Sequence, residues 1–159
     1  NAIPSRCKIT GSYVNSALSK SEAVEDGYDE AIVLTHDGHV SEGSAENLFI
    51  VRHGTLITPL ATDNILEGIT RRALMQLAQA ELGMPVLERS IDRSELYLAD
   101  ECFLCGTGGE LAPVTQIDRR PVGDGMVGLV TRQLCDLYFS IVRGENKKYM
   151  DWCTPVYSK

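Results

Sequence analysis

What this sequence is short of narrows it before any motif is considered. It has no long apolar run: stretches such as Ala31-Ile32-Val33-Leu34 and Leu48-Phe49-Ile50-Val51 are only a few residues long, far below the ~20 that a membrane-spanning helix needs. Positive charge is also scarce, with 15 Lys and Arg against 22 Asp and Glu and a net charge of −7. Nucleic-acid binders normally present a basic patch, so that class is disfavoured. No low-complexity run, internal repeat or Pro/Ser-rich linker divides the chain. The first residues carry no apolar segment of the kind that directs secretion. The five cysteines, Cys7, Cys102, Cys105, Cys135 and Cys153, have no framework spacing, which reads as free thiols in a reducing, cytoplasmic compartment. Cys102-Phe103-Leu104-Cys105 has the C-x-x-C spacing but no second pair and no histidine beside it, whereas a zinc site needs four ligands; no metal is expected. His36, His39 and His53 fall in or near turns without a Ser or Cys partner, so no histidine chemistry is assigned.

What is present is ordinary globular sequence. With 159 residues, 43% of them apolar, the chain is one domain's worth and long enough for a real core. Its first residue is Asn1 rather than Met, which suits a fragment or a processed product. Apolar period predicts a helix from Ser12 to about Glu25 with Val14, Ala17, Leu18 and Ala23 on one face. Ala31–Thr35 reads as a buried strand, His36–His39 as a turn, and Asn47–Val51 with Thr55–Thr58 as a hairpin about His53-Gly54. Gly68 to Leu82 is the clearest helix, with Ile69, Ala73, Leu77 and Ala78 as its stripe and Gly83 as its cap. Val86–Ile91 and Glu101–Leu104 read as strands, Asp92–Leu98 as a short helix, and Ala112–Val122 as a hairpin around Asp118-Arg119. A last helix runs from about Met126 to Val142, followed by an irregular tail. The sum is an α/β or α+β domain with a mixed sheet.

The chemistry starts at Lys8. It stands among apolar and small residues, where an amine can lose its solvation and become a neutral nucleophile able to form a Schiff base. Three further stretches follow it: Glu42-Gly43-Ser44-Ala45-Glu46-Asn47, Gly68-Ile69-Thr70-Arg71 and Gly106-Thr107-Gly108-Gly109-Glu110. In that order, K-x-x-G-x-Y, EGxxEN, GITR and GTGGE resemble the fold-type IV pyridoxal-phosphate enzymes. The closest resemblance is to the branched-chain amino-acid aminotransferases, and it runs from Lys8 to about Gly144.

The resemblance implies that residues 1–159 are a single domain, the second and larger one of such an enzyme, without the first. It also implies a mixed sheet curling into a partial barrel flanked by helices. Lys8 would hold pyridoxal 5′-phosphate and shuttle the proton during transamination, and Tyr13 would meet the cofactor's phenolate oxygen. Glu42 would face the ring nitrogen, where a carboxylate favours the protonated ring that acts as an electron sink. Glu46 reads as a structural hydrogen-bonder. Gly68, Ile69 and Thr70 open a helix whose free N–H groups attract an anion, so the phosphate belongs there. Thr107 would add a hydroxyl to that phosphate and, with the Gly108 amide, meet the substrate carboxylate. Glycines 108 and 109 replace the family's usual alanines, which predicts a looser turn. The family's phosphate-binding arginine comes from the first domain; Arg71 and Arg72 do not replace it.

The leading reading is transamination between branched-chain L-amino acids and 2-oxoglutarate, in a homodimer or a hexamer. A D-amino-acid aminotransferase or an aminodeoxychorismate lyase would share Lys8 and Glu42. A third reading is a truncated, non-catalytic domain, since half the substrate pocket would be missing and an apolar face exposed.

Overall fold

The structure, a computed structural model, describes residues 4–157. Two short 3-10 turns, Ser5–Cys7 and Thr10–Ser12, lead into helix α1 (Tyr13–Glu25). Strands β1 (Ile32–Leu34) and β2 (Val40–Gly43) form an antiparallel ladder, and β3 (Asn47–Arg52) and β4 (Thr55–Thr58) form the expected hairpin. Helix α2 (Ile69–Leu82) crosses over to β5 (Val86–Glu88), which runs parallel to β4. After a 3-10 segment, Arg93–Leu98, β6 (Glu101–Gly106) and β7 (Glu110–Val114) form a second hairpin. The small hairpin of β8 (Gln116–Ile117) and β9 (Arg120–Pro121) precedes helix α3 (Leu129–Val142). Asp118 and Arg119, at the tip between β8 and β9, both have positive φ, as a tight hairpin turn requires.

The main sheet has the order β5-β4-β3-β6-β7 and is mixed. Its two central strands are covered on both faces, which is why they read as continuous apolar runs rather than alternating ones. Phe49, Val51, Phe103 and Cys105 point to one face and pack with Leu74, Leu77 and Ala78 of α2 and Leu134 and Ile141 of α3. Leu48, Ile50, Cys102 and Leu104 point to the other, against Val40, Ile91 and Leu96. Phe49 and Phe103 sit opposite each other in the ladder and stack at 5.1 Å. Removing either ring would cost about 3–5 kcal/mol. The same alternation settles the C-x-x-C question. Three residues apart on a strand, Cys102 and Cys105 face opposite sides of the sheet, and burial pushes both thiols up to about 12.

Several expectations are corrected. The apolar stripe of α1 covers nothing: the helix has no buried residue, and Val14 and Leu18 are 64% and 66% exposed. β1 is half-buried at best, with Ile32 and Val33 partly covered and Leu34 exposed. The inward face of α2 is Thr70, Arg71, Leu74, Leu77 and Ala78; Ile69, expected in the stripe, is 78% exposed. The strand expected over 86–91 ends at Glu88, α3 starts at Leu129 rather than Met126, and part of the tail, Lys147–Trp152, forms a 3-10 turn. The main sheet stays open, with β5 and β7 as edges, so the described residues form a mixed α/β fold and no closed barrel.

Candidate active site

All four sequence signatures meet on one cleft of about 680 Å³. Its walls include Lys8 and Tyr13 from the N-terminal turns, Glu42 to Asn47 from the β2–β3 connection, Gly68, Ile69 and Thr70 from the start of α2, and Gly106 and Thr107 from the end of β6. Gly108 lies one residue beyond, in the exposed turn, and is not part of the wall.

Lys8 sits between the two 3-10 turns in the left-handed conformation, with φ 47. Its Nζ lies 5.8 Å from the centre of the Tyr13 ring. Tyr13 is the first residue of α1, as expected. Lys8 and Tyr13 are both exposed, so the desolvation expected around the lysine is not supplied by the described residues.

Glu42 is the most perturbed carboxyl of the cleft. Its Oε2 accepts from the Leu66 N–H at 2.9 Å and from Asn47 Nδ2 at 3.0 Å. Oε1 bonds no described residue. Burial pushes the carboxyl up to about 7, with the Leu66 N–H and the Lys8 charge pulling the other way and the nearby Glu46 adding to the rise. A carboxyl raised this far by burial, with one oxygen bonded to no described residue at a cleft wall, suits a partner that brings a positive charge or an N–H.

The start of α2 is open. Gly68 caps it with extended backbone and no side-chain cap, and its position admits no Cβ, which would lie 2.2 Å from Asn47 Oδ1. The first N–H groups of the helix are therefore available to an anion. Thr70 is buried beside them, with its hydroxyl 3.4 Å from Tyr138 Oη. Arg71 does not serve this end. Its guanidinium turns into the sheet, donating to Thr58 Oγ1, the Pro59 carbonyl and Glu88 Oε2.

The glycine-rich turn differs from expectation. Positive φ falls on Glu110, not on the glycines, and a Cβ at Gly109 would lie 2.9 Å from Glu46 Cγ. Gly109 therefore makes room for the Glu46 side chain rather than loosening the turn. Glu46 itself bonds the Ala45 N–H and closes the β2–β3 connection through its carbonyl, the structural role expected of it.

Two groups were missed. Asn47 was quoted within EGxxEN but given no role; it is buried and links Glu42 to the Leu66 carbonyl at 2.7 Å. Glu101, in β6, accepts from the Val130 N–H, the Thr131 N–H and the Thr131 hydroxyl at the start of α3. Only the position of Asn47 inside a signature hinted at its importance.

With that geometry in view, comparison with known proteins is direct. The amino-transferase class IV family matches residues 1–117, and the chain belongs to that family. It is 55% identical over its whole length to the probable branched-chain-amino-acid aminotransferase of Aquifex aeolicus, covering 51% of that protein. To the branched-chain-amino-acid aminotransferase of Salmonella typhimurium it is 44% identical, over 99% of this chain and 51% of the relative. The fold superposes with a TM-score of 0.95 and 47% identity on the PLP form of the branched-chain amino acid aminotransferase from Thermobaculum terrenum, covering 98% of this chain and 51% of that one. The chain thus spans about half the length of the relatives it matches.

The cleft fits a pyridoxal phosphate on its own terms. It offers a carboxylate with a free oxygen, a helix end bare of side-chain caps and a lysine at the rim. Arg6 pairs with Glu67 just ahead of Gly68 at 3.3 Å, and Arg71 is committed to the sheet, although a dianion at the helix end would gain from a cation.

Proposed function

We propose that this chain is the cofactor-binding, C-terminal half of a pyridoxal-phosphate-dependent aminotransferase that moves amino groups between branched-chain L-amino acids and 2-oxoglutarate. The observation that carries it is the meeting of four distant segments, from Lys8 to Thr107, on one cleft. When bound, the cofactor supplies the electron sink for amino transfer. Lys8 would hold it and carry the proton to and from the substrate Cα, and Tyr13 would bond its phenolate oxygen. Glu42 would set its Oε1 against the ring nitrogen and hold the proton there. The N–H groups at Gly68, Ile69 and Thr70, with the Thr107 hydroxyl, would bind its phosphate. The Gly108 amide would reach the substrate carboxylate only once a partner segment closes the cleft. In the intact enzyme that segment belongs to a first domain, the sheet would curl further toward a partial barrel, and the assembly would be a cytoplasmic homodimer or larger oligomer.

A half-built site follows from the exposure of Lys8 and Tyr13. The 159-residue chain alone would therefore bind cofactor weakly and turn over little. The test is the visible absorption of the chain mixed with pyridoxal phosphate, beside Lys8→Ala. A band present in the parent and lost in the variant supports the reading. An equal band in both means surface lysines are reacting, and the assignment of Lys8 fails.

A further inference from the structure

Asn47 occupies a junction that none of the assigned roles uses. Its carboxamide is buried, and both Nδ2 hydrogens are engaged, one on Glu42 Oε2 at 3.0 Å and one on the Leu66 carbonyl at 2.7 Å. The orientation of the amide is dictated by its partners, since a carboxylate and a carbonyl both accept. The Leu66 carbonyl also accepts from the Gly68 N–H at 2.9 Å, while the Leu66 N–H donates to the same Glu42 oxygen. On its other side Asn47 Oδ1 stands where a Cβ of residue 68 would be. One side chain thus touches the cleft's buried carboxylate, the loop ahead of α2 and the glycine that caps α2.

We propose that Asn47 is a positioning residue that holds Glu42 with Oε1 turned to the cleft and fixes that carboxylate relative to the N-terminus of α2. This rests on the aminotransferase reading for its purpose, though not for its geometry. Two donors on Oε2 leave Oε1 as the oxygen that takes and releases a proton, because a proton on Oε2 would displace a donor. The spacing between a ring-facing carboxylate and a phosphate-facing helix end is a property the cofactor's rigid ring demands, and displacements near 1 Å at such a site carry large penalties. The charged groups that reach Glu42 are Lys8 from the N-terminal turns, Glu46 from its own hairpin and Arg71 from α2. Among the described residues Asn47 is the side chain that bonds it.

The test is the proton titration of Glu42, followed by carboxyl-carbon NMR in the parent chain, in Asn47→Leu and in Gly68→Ala, with no cofactor present. Asn47→Leu keeps the volume and removes both donors, and the Glu42 midpoint is expected to rise by about one pH unit. Gly68→Ala touches Glu42 nowhere, yet it must displace Asn47, so the midpoint is expected to rise there as well, by less. A folded variant in which Glu42 titrates as in the parent overturns the proposal. Should Asn47→Leu fail to fold, Gly68→Ala carries the same decision. Pyridoxal phosphate is then added to each. With the cofactor in large excess, a parent that shows neither a Lys8-dependent absorption band nor any movement of the Glu42 midpoint refutes the aminotransferase reading, while the cofactor-free midpoints still decide the positioning role.

Discussion

The starts of α2 and α3 are built alike and filled differently. Each is capped by a glycine in extended conformation with no side-chain cap, and in each the missing Cβ makes way for a polar side chain from the sheet: Asn47 at Gly68 and Glu101 at Gly128. At α3 the Glu101 carboxylate fills the helix end and takes two of its backbone N–H groups. At α2 the side chain that approaches is a neutral amide turned toward Glu42 and Leu66, and the N–H groups are left to the cleft. An end that carries its own anion holds the fold together. An end without one is open to an anion, and it is there that the proposed phosphate would bind, provided something keeps the local geometry rigid.

The largest expected effect separates the two ends. Glu101→Ala removes the internal anion and leaves buried donors unsatisfied, so unfolding stability should fall by about 3 kcal/mol in urea titrations. Gly68→Ala should cost less stability but weaken cofactor binding at least tenfold, measured by the Lys8-dependent absorption band. If both substitutions acted on stability alone, the two ends would not differ in use.

Glu42 gives the next effect, and its sign is specific. A carboxyl held at about 7 in the folded chain, against 4.5 as its ordinary value, favours folding below pH 4.5 and loses that contribution as pH rises through 7. Glu42→Gln should therefore be more stable than the parent at pH 8, by up to about 3 kcal/mol, and should not show that gain below pH 4.5. Thermal melts at the two pH values check it. The smallest effect is at the cleft's far wall: Thr107→Val should weaken cofactor binding about threefold to tenfold without changing stability.

Much of this was legible in the residues because β3 and β6 bury both faces, which writes their runs plainly into the sequence, and because Gly83 and the Asp118-Arg119 turn announce their own backbone conformations. The signatures located the cleft for a similar reason: each sits where an element begins or ends. The stripe of α1 misled because apolar period reports a face that something covers, not that this chain covers it. Ile69 misled because its own side of the first turn of α2 is exposed at the cleft, while Thr70 and Arg71 turn inward. Asn47 and Glu101 went unassigned since the backbone groups they bond lie 19 and about 30 positions away in sequence, and a side-chain bond to distant backbone leaves no periodic trace.

The most direct measurement is an amide NMR titration of the chain with pyridoxal phosphate. Shifts are expected at Gly68, Ile69, Thr70 and Thr107 while Leu129, Val130 and Thr131 stay in place. Equal shifts at both helix ends, or shifts confined to α3, would contradict it.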